Sequence, residues 1–112
     1  MTKTKITRVE SVATLGFPDC VLALAGKLFL VELKVATPSG RVKVSPHQVA
    51  FHVGHQDFPC FILVAHETVM YLIEARNVMD LVDKPLSEVK LTGCFSINGE
   101  GFETLEQVLA LF

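Results

Sequence analysis

The stretch CVLALAGKLFLVELKVA, residues 20–36, decides the fold. Its first part, 20–25, is an apolar run of strand length closed by Gly26 and Lys27. Its second part, 28–36, is another such run, rich in Val and Leu. Two apolar runs across a glycine-containing turn predict a β-hairpin. Downstream, Thr37-Pro38-Ser39-Gly40 is a turn by composition, and 41–44 alternates basic and apolar residues, as a short strand or an extended loop does. Ser45, Pro46 and Gln48 then suit an N-cap, a first helical residue and a capping-box partner. The helix is predicted to run to about Asp57, with Val49, Ala50 and Val53 inward and Gln48, His52 and His55 along another face. Phe58-Pro59 ends it. The run CFILVA at 60–65 fits a central buried strand, and 68–73 follows as another after a turn at His66-Glu67.

A strand, a helix and a second buried strand form a crossover unit, so 28–36 and 60–65 should be parallel. Helical patterns return at 75–82 and 104–112, with a short strand near 89–97 and a turn at Asn98-Gly99. The expected class is α/β: a central mixed β-sheet, antiparallel at its start, with flanking helices. At 112 residues and 12.3 kDa the chain suits a single domain, 1–112.

Half of the residues are hydrophobic and the mean hydropathy is +0.44, high for so short a chain. Membrane spanning is nonetheless not expected, because a spanning helix needs about 20 consecutive apolar residues. Lys27, Glu32 and Lys34 interrupt the longest apolar region. Glu10 and Asp19 precede the first apolar stretch, which has no signal-type core. Cys20, Cys60 and Cys94 are odd in number and scattered, which argues against a disulfide framework or a cysteine-only zinc site and for buried thiols in a reducing compartment. A cytoplasmic location is therefore expected, the host's cytoplasm if the chain is phage-encoded.

Charge is unevenly spread. Residues 1–43 carry seven basic residues against three acids, and 44–112 three against nine, a net of +4 and then −6. The basic half is either an anion-binding surface, with nucleic acid as one candidate, or a set of solvated lysines at strand edges. Within it, Glu32 and Lys34 are two apart on a strand and so share a face. Val31, Leu33 and Val35 take the other face. Charges embedded in an apolar strand cost free energy unless they are paired or bind something. Asp19 opens the first strand of the hairpin and can come beside Glu32. Two neighbouring carboxylates repel, and a divalent cation resolves the repulsion. Magnesium takes a few oxygen ligands and keeps waters, so Asp19, Glu32 and the Leu33 carbonyl could hold it, with Mn²⁺ able to substitute. Lys34 beside the ion could hold the attacking water or neutralise charge on a phosphate, as metal-assisted phosphodiester hydrolysis requires. The rival account is a salt bridge from Lys34 to Asp19 or Glu32.

Gly16-Phe17-Pro18-Asp19, then Glu32-Leu33-Lys34 after twelve residues, then Ser45 and Gln48, resembles the PD-(D/E)XK nuclease superfamily. More narrowly, the order of motifs is similar to the VRR-NUC group and the archaeal-type Holliday junction resolvases. The resemblance covers roughly residues 16–65. It implies a restriction-endonuclease-like core, with Asp19 and Glu32 as metal ligands joined by the Leu33 backbone carbonyl. It further implies Lys34 as catalytic lysine and Gln48 as active-site support. Members usually carry another glutamate on an N-terminal helix; only Glu10 is available for that role, which favours one metal over two.

Arg41, Lys43, Ser45 and His52 are the candidate DNA contacts. His52-x-x-His55 could be half of a zinc site, although no partner pair has suitable spacing. Phe102, Leu105, Val108, Leu109 and Phe112 form an apolar helical stripe, either core or partner groove. The expected activity is a Mg²⁺-dependent endonuclease acting on DNA, including branched forms. The alternative is a nuclease-like fold kept as a DNA-binding or assembly subunit. A homodimer is expected, since cutting both strands calls for two sites; the stripe and the edge near Phe95 and Ile97 are the candidate contact faces.

Overall fold

The computed structural model describes residues 4–8, 18, 20–24 and 26–96, with backbone only for 4–8. Glu10, Asp19, Ile97, the expected turn at Asn98-Gly99 and the C-terminal helical stripe lie outside the described residues. The described chain builds one six-stranded sheet whose spatial order equals its chain order. The strands are β1 (Thr4–Arg8), β2 (Cys20–Leu24), β3 (Lys27–Val35), β4 (Cys60–His66), β5 (Val69–Glu74) and β6 (Gly93–Ser96). Helix α1 (Pro46–Gly54) joins β3 to β4, and α2 (Val78–Asp83) lies between β5 and β6.

The hairpin forms as expected. β2 and β3 pair antiparallel from Cys20↔Val31 to Leu24↔Lys27. Gly26 sits in the turn at φ +78°, a conformation that costs glycine nothing. β3 and β4 pair in parallel, Leu30↔Cys60 through Val35↔Ala65, with α1 as the crossover. Every other neighbouring pair is antiparallel, so the sheet is mixed. β1 was not foreseen. Its sequence TKITR holds one apolar residue, Ile6, among polar ones, and only pairing with β2 reveals it as a strand. The short late strand is narrower than expected, 93–96 rather than 89–97.

Side chains alternate across the sheet and make two apolar layers. One gathers Cys20, Leu22, Leu24, Phe29, Val31, Phe61, Leu63 and Leu72, with the Phe29 and Phe61 ring centroids 6.0 Å apart. The other lies under α1 and α2 and gathers Cys60, Ile62, Val64, Ile73, Val78, Leu81 and Leu86. Leu33 and Val35, on the first face, are exposed where β3 runs past the last pair with β2. Of the thiols, Cys20 and Cys60 are buried as expected, but Cys94 is exposed on β6. No helix among the described residues is long and apolar enough to cross a membrane.

α1 departs from expectation in two ways. It stops at Gly54, and residues 55–57 form a turn closed by the Phe58 N–H donating to the His55 carbonyl at 3.1 Å. Its facing is also rotated. His52 is buried at 1% exposure, whereas Val53 is 48% exposed and Ala50 is exposed. Four of its residues, Val49, Ala50, Phe51 and Val53, are apolar and surround the axis, so hydrophobic periodicity could not fix the phase. Position over the polar centre of the sheet does.

Candidate active site

Two of the expected site residues, Lys34 and Gln48, meet where β3 passes under the start of α1, and a third, Glu32, lies two residues earlier on the same face of the strand. Glu32 and Lys34 project from the helix-covered face of β3. Glu32 is 2% exposed, in register with Ile62 of the central strand. Lys34 is half-buried, and its Nζ donates to Gln48 Oε1 at 2.7 Å. That contact goes to a neutral amide; the salt bridge from Lys34 to Asp19 weighed from spacing lies outside the described residues.

The amide is itself held by the helix cap. The Ser45 backbone N–H donates to Gln48 Oε1 at 3.0 Å, and the Gln48 N–H donates to Ser45 Oγ at 3.2 Å. Pro46 occupies the first turn, where its missing N–H costs nothing. Two donors converge on one oxygen, so the orientation of the amide is fixed by its surroundings. A local sequence signal, Ser-Pro-x-Gln, therefore does more than begin a helix. It aims an acceptor at the lysine.

Backbone direction places the Leu33 carbonyl. The N–H groups of Leu30 and Ala36 donate toward β4, to the carbonyls of Pro59 (3.0 Å) and Ala65 (2.9 Å). The N–H and C=O of one strand residue share a side and alternate along the chain. Leu30, Glu32 and Lys34 thus direct their backbone groups to β4, and Val31 and Leu33 direct theirs toward β2. The last β2–β3 pair is Cys20↔Val31. Leu33 carries its carbonyl to that same side two residues beyond this pair.

Behind this centre lies a pair that sequence reasoning missed. His52 Nδ1 is 3.5 Å from Cys60 Sγ, both buried between α1 and β4. His52 Nε2 is enclosed with no hydrogen-bond partner among the described residues. Burial first, then the positive charges of Lys34 and His55, lower the His52 pKa from 6.5 to about 4. Burial, then the negative charge of Glu32, push the Cys60 thiol up to about 12, against a small opposing hydrogen bond from the Phe61 backbone. Both groups are accordingly neutral near pH 7, and both sense the charges on β3. The signal available in sequence was a histidine one turn after Gln48 and a cysteine opening the most apolar strand.

Two expectations are corrected here. His52 was a candidate DNA contact, but a ring 1% exposed does not reach a phosphate. The His52-x-x-His55 pair does not converge as a zinc half-site either. His55 turns outward, stacks on Phe51 with centroids 4.0 Å apart, and has Nδ1 2.7 Å from the Phe51 carbonyl oxygen. Among the described residues no three His, Cys, Asp or Glu side chains gather as a metal site; Asp19 and Glu10 fall outside that set. Arg41 and Lys43 are exposed on the loop between β3 and α1. Arg41 Nη1 donates to the Asp83 carbonyl at 3.3 Å, which ties this loop to the end of α2. Ser45 is half-buried and spent on the cap.

No protein-family model matches the sequence, and a search of curated proteins found no match.

Proposed function

We propose that the chain is a divalent-metal-dependent nuclease that hydrolyses DNA phosphodiesters, with a restriction-endonuclease-like core of the PD-(D/E)XK kind. The observation that carries the reading is the Lys34 ammonium held at 2.7 Å by the capped Gln48, one strand repeat from a buried Glu32 carboxylate. A buried carboxylate and an immobilised ammonium on one face cost desolvation that structure alone rarely requires.

The donor set fits a hard cation. Glu32 and Leu33 are consecutive on β3, and a carboxylate with a backbone carbonyl is the kind of oxygen pair that magnesium favours with retained water. Asp19, covalently next to Cys20 at the paired end of β2, would complete the set. A cation bound there supplies Lewis acidity and a more acidic water. The chain's own residues supply the rest. Lys34 offers a fixed positive charge to a phosphate oxygen in the transition state, where preorganised charge is most effective. Gln48 and Ser45 hold that charge in place without neutralising it. Arg41 and Lys43, exposed on the adjoining loop, would track the DNA backbone without reading sequence. Two copies of the chain would supply one site per strand, and light scattering that returned a mass near the monomer's 12.3 kDa would remove this part of the reading.

The test is incubation of purified protein with supercoiled plasmid and with branched DNA, in Mg²⁺, Mn²⁺ or EDTA. Nicking should need the metal and fall by more than about a hundredfold in Glu32→Gln and in Lys34→Ala, a loss beyond that typical of outer-shell changes. Both variants should keep the wild-type circular dichroism. DNA binding with no cleavage on any substrate would instead favour a binding or assembly subunit.

A further inference from the structure

We infer that a cavity beside the proposed nuclease centre receives a single unstacked nucleobase of the bound DNA strand, so that the preferred substrate carries an unpaired nucleotide. The inference rests on the nuclease reading for its ligand class and on separate geometry for its place.

The cavity, about 250 Å³, opens at the C-terminal ends of β3 and β4. Its size is just under the usual range for drug-sized ligands, which suits one planar heterocycle. His66 and Tyr71, the two ring-bearing residues of its lining besides Pro38, stand there with Leu91. Ser39 and Ser87 add hydroxyls that both donate and accept. Flat rings, apolar surface and a few two-way hydroxyls are what a base recognised by stacking requires. The loop wall is held rigidly. Gly40, at φ +82°, donates its N–H to the Thr37 carbonyl at 2.8 Å and accepts from the Leu86 N–H at 2.7 Å. His66 Nε2 lies 3.3 Å from the Pro38 carbonyl oxygen.

Position argues for a strand-borne base. Lys34 and Tyr71 are both in register with Val64, so the three form one row across the sheet on one face. With strands about 4.8 Å apart, the Lys34 and Tyr71 Cα atoms stand about 10 Å from each other. At about 3.4 Å per nucleotide, a strand engaged at Lys34 reaches the cavity with its third nucleotide. Arg41 and Lys43, two and four residues beyond Ser39, stand exposed on the same loop to meet the intervening phosphates.

Tyr71 also provides the readout, because the chain has one tyrosine and no tryptophan. In EDTA, where no hydrolysis occurs, a duplex with one extrahelical thymidine should quench Tyr71 emission. It should also bind about tenfold tighter than the fully paired duplex, the scale of one base–aromatic stack. The same duplex with an abasic position there should lose both effects. Ser87→Phe, which fills the rim of the cavity from an exposed turn, should abolish the preference with circular dichroism unchanged. Equal quenching by paired, extrahelical and abasic duplexes would overturn the inference, as would a preference that survives Ser87→Phe. Quenching by free thymidine monophosphate as tight as by the extrahelical duplex would overturn the strand-borne source. Metal-dependent nicking with no such quenching would defeat the cavity and spare the nuclease. Quenching with no nicking would do the reverse.

Discussion

The two faces of the sheet are cut from the same strands and are unlike. On one face, Phe29, Val31, Phe61, Leu63 and Leu72 form a layer with no buried polar side chain among its members. On the other lie Glu32 of β3 and His52 of the covering helix α1, the two buried polar or charged residues among the described ones. A sheet and helix that needed only a second hydrophobic layer would have placed a leucine at either position. The first face holds the fold together; the second accepts desolvation in order to fix charges.

That contrast can be broken at its strongest point first. Phe61→Ala removes a fully buried ring from the first face and should cost about 3–5 kcal/mol of unfolding free energy. Urea titration measures it. Near the folded baseline, DNA binding should be retained, because Phe61 points away from Lys34 and Gln48. A cost under about 1 kcal/mol would remove the distinction between the faces.

His52 tests the second face. Its folded pKa of about 4 lies below the ordinary 6.5, so the unfolded chain takes up the proton first as the pH falls. The neutral imidazole contributes its full stability above about pH 6.5, and that contribution is gone below about pH 4. The loss across the window is about 3 kcal/mol. Urea midpoints measured from pH 7 to pH 4 should show that decline in wild type and a smaller one in His52→Leu. Parallel slopes would mean that His52 is not what titrates.

The smallest effect sharpens the comparison most. Ser45→Ala removes the cap oxygen and should cost about 1 kcal/mol in stability. It should also lower nicking severalfold with DNA affinity kept, because Gln48 then holds Lys34 less firmly. A stability loss without any rate change would make the cap purely architectural.

Much of this was readable from sequence because the signals were local. The hairpin at 20–36, the Ser45-Pro46-Gln48 helix start and the run at 60–65 each satisfy their own chemistry and appear where expected. Glu32 and Lys34 stood out because charge in an apolar strand is conspicuous. β1 was missed because Thr4–Arg8 becomes a strand only through its partner. The turning of α1 was missed because Val53 is the more apolar neighbour yet His52 is the one placed over the sheet. A helix apolar on most sides takes its phase from what it must cover, and that is tertiary information. Cys60, at the start of a buried strand, gave no sign that it would meet a histidine eight residues earlier.

The chain-ordered sheet bears on how the molecule assembles. β1–β2, β2–β3, β4–β5 and β5–β6 all join neighbours in sequence, and the two hairpins at 20–35 and 60–74 can zip locally. The β5–β6 pairing must wait for the short α2 segment and the β3–β4 pairing for α1. Of the two, β3–β4, the parallel pair, closes the larger loop and is entropically the later event. Glu32, Lys34, Gln48, His52 and Cys60 all belong to this unit. Closing the seam between the two half-sheets is therefore the same event as building the site. A refolding chain should regain most of its strand signal before any of its activity.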